Sequence, residues 1–315
     1  MLVVKPKVEL WLQGNGLSQF VAQCARICYA SDKGNDERLV QSLIDKKHNS
    51  MFRHATYYII TNSTFNHDYL VHEYNGRPGF SATLNGKVWY ITVNGHWAID
   101  YPGAFDTLKP YIVPVEQFSN TEIGFNMMRY TFWVRTQIST SRELNRVSPN
   151  NISEQSTRYV NFNKKGDVTV CQPWWFNIHE DAEYYEYRYA EEYFTHYVKS
   201  PNDANWHPLN NTPINLGRSD YYGWMAECWL LSNYNSANAY AKLVDKGMKP
   251  QDARGVLGLD VATTCIYTYS IKEWRDIIDK RVYQITGPAH PNAIIVCDMI
   301  RNKLMELGHE FRDRE

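Results

Sequence analysis

The sequence predicts an α+β fold, with a mixed or antiparallel sheet in the early part of the chain and long helices in the second half. Three segments share the β-branched and aromatic composition of strands: residues 54–63, 88–95 and 129–138. Three later segments have apolar residues at helical spacing: Asp181–Val198, Tyr221–Lys246 and His290–Leu307. No internal repeat, low-complexity tract or linker separates them. We therefore expect a single α+β domain over residues 1–315.

The first half also contains shorter elements. Residues 2–12 alternate well enough to predict an opening strand, and helical spacing predicts helices over Leu17–Ala30 and Asp36–Lys47. The strand over 129–138 runs into a short helix, residues 139–146, for which Ser or Thr is a suitable N-cap. Because a proline disfavours α-geometry in the residue before it, this helix should end ahead of Pro149 and release a loop.

Local signals mark the helix ends in the second half. Gly247 has the position of a C′ residue, and Pro250 opens a new short helix over 250–257. Ser270 and Glu273 have the spacing of a capping box and start a helix that ends in basic residues.

Composition excludes several classes of protein. Hydrophobic residues make up 43% of the 315 residues, enough for a sizeable core, so disorder is excluded. Lys+Arg 33 against Asp+Glu 34 gives a net charge of −1, which lacks the positive excess that a nucleic-acid polymer or a membrane surface needs. The sequence has neither a run of about 18 apolar residues nor a signal peptide, so we expect a cytoplasmic protein without a membrane partner.

The cysteines are predicted to be buried free thiols in a reducing compartment, because most of them lie in apolar runs. They are Cys24, Cys28, Cys171, Cys228, Cys265 and Cys297. Cys24 and Cys28 share one helical face, but no second pair or matching histidines complete a zinc site, so no metal is expected.

The polar segment NRVSPNNISEQSTRYVNF, residues 145–162, is a candidate binding loop. Ser156 and Arg158 are two residues apart and point to the same side of an extended segment. With free backbone N–H groups between them, they form a suitable phosphate cradle. Glu154 adds an acceptor for a sugar hydroxyl or a base N–H. A solvated loop with local side-chain-to-backbone bonds is the alternative.

Two further arginines are candidates for binding an anion, although each has a structural alternative. Arg281 ends a predicted helix, where a cation is favoured whatever its function. Arg254 lies near Asp252, so a surface ion pair is an equal alternative.

The polar segment also carries a family signature. From Arg146 to Tyr159 the chain reads R-V-S-P-N-N-I-S-E-Q-S-T-R-Y. This resembles R-H-R-x-x-S-x-N-E-x-S-x-R-Y of the flavin-dependent thymidylate synthases, with Arg146, Glu154, Ser156, Arg158 and Tyr159 matching. An early block keeps the family's His48, Ser50 and His54, and residues 243–281 resemble the family's G-x-x-P-x-x-A-R-x-V-L-P segment and following helix. The resemblance spans most of residues 1–305, apart from an insertion at about 64–128.

The resemblance implies a flavin-dependent thymidylate synthase-like fold and an activity. Members carry out FAD-dependent reductive methylation of dUMP to dTMP, with methylenetetrahydrofolate and NADPH as co-substrates. They are homotetramers with sites built between chains. The chain departs from the family pattern at six positions: Val147, Ser148, Asn151 and Ser153 replace signature residues, Gly258 replaces a proline and Arg53 replaces a glutamate.

The resemblance also implies roles for individual residues. The implied dUMP-binding residues are Glu143, Arg146, Glu154, Ser156, Thr157, Arg158, Arg254 and Arg281. The implied FAD contacts are His48, Ser50, Arg146, Val147, Ser148, Ser270 and Asp276. Arg281 is the implied catalytic residue, since it would polarise the uracil carbonyl as negative charge develops there.

Three interpretations follow from the altered signature. The first is a working enzyme of this kind, with flavin held by substitute groups such as Ser148, Asn150 and Asn151. The second is changed C5 chemistry on a pyrimidine nucleotide, such as hydroxymethylation of dUMP. The third is a non-catalytic nucleotide-binding paralogue that has lost flavin.

Overall fold

The computed structural model describes residues 1–14, 16–28, 34–147, 151–157, 168–175, 182–193, 195–209 and 220–312. The strands in this part of the chain are β1 (Leu2–Val4), β2 (Lys7–Trp11), β3 (Thr56–Asn62), β4 (Phe80–Asn85), β5 (Val88–Asn94), β6 (Arg129–Gln137), β7 (Ile152–Glu154), β8 (Thr169–Cys171), β9 (Tyr184–Ala190), β10 (Thr195–Lys199), β11 (His207–Pro208) and β12 (Ala262–Ser270).

The helices in the described residues are α1 (Leu17–Ile27), α2 (Asp36–Asp45), α3 (Phe65–Tyr74), α4 (Gly95–Asp100), α5 (Pro102–Leu108), α6 (Val115–Ser119), α7 (Glu122–Asn126), α8 (Ile138–Asn145), α9 (Asp220–Asp245), α10 (Pro250–Ala253), α11 (Ile271–Arg281) and α12 (Pro291–Glu306). Short 3-10 turns include Asn49–His54 and Arg254–Val256. The predicted α+β class is confirmed.

The strands form three sheets, with orders β11-β10-β9-β1-β8, β2-β6-β12-β7 and β3-β5-β4. β1 and β8 run parallel, and the other described pairs are antiparallel. The second sheet positions the candidate site. β6 and β12 pair over nine residues, from Ala262 opposite Gln137 to Ser270 opposite Arg129. β7 extends this sheet at its edge, with Glu154 opposite Cys265.

The largest core lies between the second sheet and the helices α11 and α12. Phe132 and Tyr267 from the sheet are buried with Trp274 from α11 and Ile300 from α12. Ser270 starts α11 with the predicted capping box: its hydroxyl accepts from the Glu273 N–H, and the Glu273 carboxylate accepts from the Ser270 N–H. This cap and the burial of one helix face fix where α11 ends, and therefore where Arg281 lies.

Two predictions of secondary structure need correction, one at the start of the chain and one after residue 181. The opening strand is interrupted at Lys5–Pro6, so β1 and β2 join different sheets. Proline cannot donate to a ladder, which explains the interruption. The helix predicted over Asp181–Val198 is wrong, because this region forms β9 and β10. Tyr185 and Tyr187 are buried while their neighbours are exposed, so the burial period is two rather than 3.6.

Three smaller predictions also need correction. The N-cap of α8 is Gln137, without a side-chain cap bond, instead of Ser or Thr, because β6 leads directly into the helix. Cys228 is exposed and Cys28 is half-buried, whereas the other four thiols are buried as predicted. The two histidines of the insertion, His67 and His72, are predicted to be surface residues rather than ligands, and this is wrong for His67, which is buried with its Nδ1 3.0 Å from Thr61 Oγ1.

The remaining helix predictions agree with the structure within a few residues at each end, except that the segment after Pro250 divides into α10 and a 3-10 turn. Gly247 has the positive φ of 92° that a C′ residue needs. The insertion contributes β4, β5 and α3 to α7, and it completes the third sheet beside β3. No helix among the described residues is long and apolar enough to span a membrane.

Candidate functional site

Helix α8 is the central element of the candidate site. It begins where β6 ends, so the β6–β12 pairing determines its position. Residues four apart on a helix share a face, which places Ser141 and Asn145 together. Arg142, Glu143 and Arg146 lie further around the same helix, about 100–180° from the first pair, and form its second face.

The first face of α8 holds the carboxylate of Glu154. Ser141 Oγ donates to Glu154 Oε1 at 2.8 Å, and Thr263 Oγ1 donates to the same oxygen at 3.1 Å. Asn145 Nδ2 donates to Glu154 Oε2 at 3.3 Å. Since an ionised carboxylate has about four acceptor positions, three bonds leave about one for a ligand donor. Glu154 is therefore held in one place and can accept one further hydrogen bond.

The backbone around Glu154 is also paired. The Gln155 N–H donates to the Thr264 carbonyl at 2.8 Å, and the Ser156 N–H donates to the Cys28 carbonyl at 3.0 Å. Neither of these two N–H groups, at and before the start of the predicted cradle, is free for a ligand. Arg158, the guanidinium of the predicted cradle, lies outside the described residues.

Arg254 reaches this segment from the end of α10. Its Nη1 donates to Thr157 Oγ1 at 2.6 Å. In the described structure it makes no ion pair with Asp252, so the surface-pair alternative is not adopted. We call the set Glu154, Ser156, Thr157 and Arg254 the β7 cluster.

The second face of α8 contacts Arg281. Arg281 Nη2 donates to the Glu143 carbonyl at 2.9 Å, and Arg281 Nε lies 3.3 Å from Glu143 Oε1. The Nε–Oε1 contact is an ion pair without the geometry of a hydrogen bond, so this buried N–H makes no hydrogen bond. Arg281 is thus oriented from two directions by one residue.

A cavity of ≈ 780 Å³ opens beside this pair. Its polar lining includes Arg142, Glu143, Arg146, Lys280, Arg281 and His290. We call it the α8 cavity. Four cationic side chains face one carboxylate, and a concave surface of one sign concentrates the field within it. Chemically, the α8 cavity is suited to an anionic ligand that carries phosphate groups.

His54 lies at the junction of the 3-10 turn Asn49–His54 with the second sheet. Its Nδ1 is 2.8 Å from Thr268 Oγ1, and its Nε2 is 2.8 Å from Ser153 Oγ. Burial lowers the pKa of His54 to about 3, and the nearby positive charges of Arg129 and Arg53 add to the effect. The neutral imidazole therefore connects this turn to the strand that carries Glu154.

The implied FAD contacts are spread over several places. His48 and Ser50 are exposed at the start of the 3-10 turn, and Val147 lines the α8 cavity. The Ser270 hydroxyl is engaged in the cap of α11, about 16 Å along that helix from Arg281. Ser148 and Asn150 lie outside the described residues.

Asp276, also an implied FAD contact, is exposed on α11. Its Oδ2 lies 2.6 Å from Lys280 Nζ, one turn further along the helix. Lys280 is one of the four cationic side chains that line the α8 cavity, so Asp276 acts in this structure as its counter-ion at the edge of the cavity.

The comparison with known proteins identifies the family. Residues 120–306, more than half of the chain, match the family described as Thymidylate synthase complementing protein. The chain belongs to this family. The resemblance found in the sequence is therefore confirmed. No curated protein gives a significant match to the chain.

Among solved structures, the chain of this thymidylate synthase complementing family member is similar to a UMP/dUMP methylase, PolB, from Streptomyces cacaoi. With PolB bound to 5-Br UMP, the identity is 16% and the TM-score 0.42, over 97% of this chain and 92% of that chain. With PolB bound to 5-Br dUMP, the identity is 14% at the same TM-score and coverage.

In this family member, α8 separates the residues carried over from the signature into two groups. The β7 cluster lies on the side of Ser141 and Asn145, and the α8 cavity lies on the second face. Sequence reasoning missed Arg142, Lys280 and His290; the helical spacing of Arg142 from Arg146 was the available signal.

Proposed function

We propose that the protein is a flavin-dependent enzyme that methylates dUMP at C5 to give dTMP, with FAD as cofactor and methylenetetrahydrofolate and NADPH as co-substrates. The observation that carries the proposal is the α8 cavity, which combines Arg146 of the signature with Arg281 in a chain of this family. Pyrimidine C5 methylation is the general activity that family membership supports.

The residues of the α8 cavity fit a phosphorylated cofactor, because four cationic side chains and one carboxylate line it. Arg146 and Val147 would hold FAD there, and FAD when bound supplies the hydride for the reductive step. His48, Ser50, Ser148, Ser270 and Asp276 remain proposals as FAD contacts.

Arg281 is proposed as the catalytic residue. The Glu143 carbonyl and carboxylate hold its guanidinium in a fixed orientation before any ligand arrives. A preoriented cation stabilises the negative charge that develops on a carbonyl oxygen without reorganising during the reaction. In this proposal Glu143 is a positioning residue, because it orients the Arg281 guanidinium and does not itself contact the substrate.

The β7 cluster is proposed to bind the nucleotide. Glu154 has about one acceptor position left for a ring N–H or a sugar hydroxyl. Arg254, placed by Thr157, would meet the phosphate together with Ser156 and Arg158.

A homotetramer with shared sites is proposed as the assembly. The β7 cluster and the α8 cavity lie against different faces of α8, which supports a nucleotide site completed by a second copy of the chain. A site between protomers would bring the β7 cluster of one copy to the α8 cavity of another.

A second candidate is a nucleotide-binding paralogue without flavin, which is favoured by the dispersed placement of the implied FAD contacts. A third, hydroxymethylation of dUMP, is favoured by Val147 at the cavity wall, where the signature has histidine. Both keep the β7 cluster as a nucleotide site.

The test is flavin binding by the purified protein. We expect flavin absorbance, or its appearance on adding FAD, and a change in the flavin spectrum when dUMP is added. A colourless protein that binds no added FAD would contradict the proposal and favour the paralogue. If FAD binds, product analysis with methylenetetrahydrofolate, NADPH and dUMP separates a methyl from a hydroxymethyl product.

A further inference from the structure

Two cations of the α8 cavity have no counter-ion among the residues that the structure describes. Arg142 and Arg146 both line the cavity, are four residues apart on one face of α8 and are exposed. Within the described residues, neither guanidinium makes an ion pair or a hydrogen bond. The unbalanced charge of the cavity therefore lies on these two side chains.

The other two cations are already paired. Lys280 Nζ lies 2.6 Å from Asp276 Oδ2, and Arg281 has Glu143. The C-terminal end of a helix favours a cation, which would explain one arginine at the end of α8 without any ligand. Helix-end electrostatics do not explain why two like charges, which repel at this spacing, face one concave surface with two more cations.

The sequence supplies an independent reason to consider Arg142. The family signature has a second arginine two residues after Arg146, and this chain has Ser148 there. Arg142 supplies a guanidinium four residues before Arg146 instead. Side chains at this spacing on a helix are neighbours, so both guanidinium groups can contact one phosphate group.

We propose that Arg142 and Arg146 together bind a phosphate group of the ligand in the α8 cavity, and that Arg142 takes the place of the signature arginine missing at position 148. The identity of the ligand rests on the proposed function. The shared chemistry is a phosphate ester, from either the diphosphate of FAD or the monophosphate of dUMP. Charge-assisted bonds from a guanidinium fork favour such oxygens.

The experiment is equilibrium titration of the full chain with inorganic pyrophosphate, FAD and dUMP, each followed by calorimetry at one low salt concentration. The variants are Arg142→Ala and Arg142→Lys, and the control is Arg77→Ala, at an exposed arginine of the insertion that follows α3 and pairs with Glu73. Thermal unfolding checks that each variant is folded, which we expect because Arg142 is exposed.

We expect Arg142→Ala to weaken pyrophosphate binding about 10- to 100-fold, as for the loss of a charged hydrogen-bond donor. Of FAD and dUMP, the ligand whose phosphate lies at this arginine pair should lose affinity by a similar factor. The affected ligand therefore identifies the source of the phosphate group. Arg142→Lys should lie between Arg142→Ala and the wild type, because an ammonium keeps the charge but lacks the planar fork. Arg77→Ala should bind all three ligands as the wild type does.

Other outcomes separate this inference from the proposed function. If Arg142→Ala binds all three ligands as tightly as the wild type, the arginine pair is wrong and the proposed function stands. If pyrophosphate binding depends on Arg142 but the wild type binds neither FAD nor dUMP, the pair stands and the proposed function fails. A wild type that binds none of the three ligands overturns both.

Discussion

The β7 cluster and the α8 cavity contain the two groups of binding residues that the family resemblance implies. The two groups differ in how far their polar side chains are already hydrogen-bonded within the chain. Glu154 accepts three hydrogen bonds from its own chain, and Arg254 already donates to Thr157. In the α8 cavity, Arg142 and Arg146 have no partner among the described residues, although Arg281 is oriented by Glu143.

This difference separates two tasks of a binding site. Hydrogen bonds within the chain fix where Glu154 points, so the β7 cluster is ordered before a ligand arrives and loses little conformational freedom on binding. Unbalanced charge in the α8 cavity instead supplies attraction for an anion. Substitutions that remove a held side chain or a charge from one region test this comparison.

The largest effect is expected from Arg281→Ala. Removing a preoriented cation from the developing charge should lower kcat by about 10²–10³-fold. Product formation from dUMP measures it. Lys272→Ala is the control, because Lys272 is exposed on the same helix and is not among the described residues that line the cavity. Equal turnover of Arg281→Ala and the wild type would remove Arg281 from the proposed chemistry.

His54→Ala should be the most destabilising change near the β7 cluster. It removes two buried hydrogen bonds and leaves the Thr268 and Ser153 hydroxyls without their histidine partner, at a cost of about 2–4 kcal/mol in the free energy of unfolding. Urea denaturation measures this loss. His48→Ala, at an exposed histidine six residues earlier, should stay within about 0.5 kcal/mol of the wild type. Similar losses in both variants would contradict the structural role of His54.

The pH dependence of stability tests the same histidine without removing its volume. Since the folded-state pKa of His54 is lowered to about 3 from 6.5, the unfolded chain binds more protons between these values. Its contribution to stability is fully present above pH 6.5 and is lost as the pH falls toward 3, by up to about 1.4 kcal/mol per pH unit.

His54→Gln should reduce this slope, because glutamine does not titrate in the range. Unfolding measured from pH 7 to pH 4 checks the change. His309, whose pKa burial lowers to about 4, remains in both proteins and supplies a common background. An unchanged slope would mean that His54 is not buried as a neutral group.

The smallest effect is expected from Thr157→Val, which removes the hydroxyl that accepts from Arg254. Arg254 is exposed, so stability should change by less than about 0.5 kcal/mol. Affinity for dUMP should weaken about 2- to 5-fold, because Arg254 loses a positioning contact. Thr83→Val, at an exposed strand residue of the insertion, is the matched control. Unchanged dUMP affinity in Thr157→Val would separate Arg254 from the phosphate.

Local chemistry was predictable from the sequence, and long-range pairing was not. The capping box of Ser270 with Glu273 and the C′ position of Gly247 depend on a few neighbouring residues, and both are confirmed. The strands β9 and β10 were mistaken for a helix because a segment dense in tyrosine and glutamate satisfies helical spacing as readily as alternation. The choice between helix and strand depends on the pairing of β9 with β1 and of β10 with β9 in the folded sheet.

The candidate site shows the same limit. The signature located Glu154 and Arg146, and the helical period of α8 already implied that Arg142 shares a face with Arg146. The use of the Ser156 N–H was not predictable, because its acceptor is the carbonyl of Cys28, far away in the sequence. The backbone donors that remain free for a ligand can therefore be identified only in the folded chain.

The position of β1 has a consequence for synthesis on the ribosome. Leu2 pairs with Thr169 on one side and with Glu186 on the other, and Val3 is completely buried between those neighbours. At about 5–20 residues per second, the first strand waits roughly 10–35 s for β8 and β9 to emerge. During that interval its apolar edge is unpaired in the nascent chain. The sheet that contains β1 therefore cannot close until more than half of the chain has been synthesised.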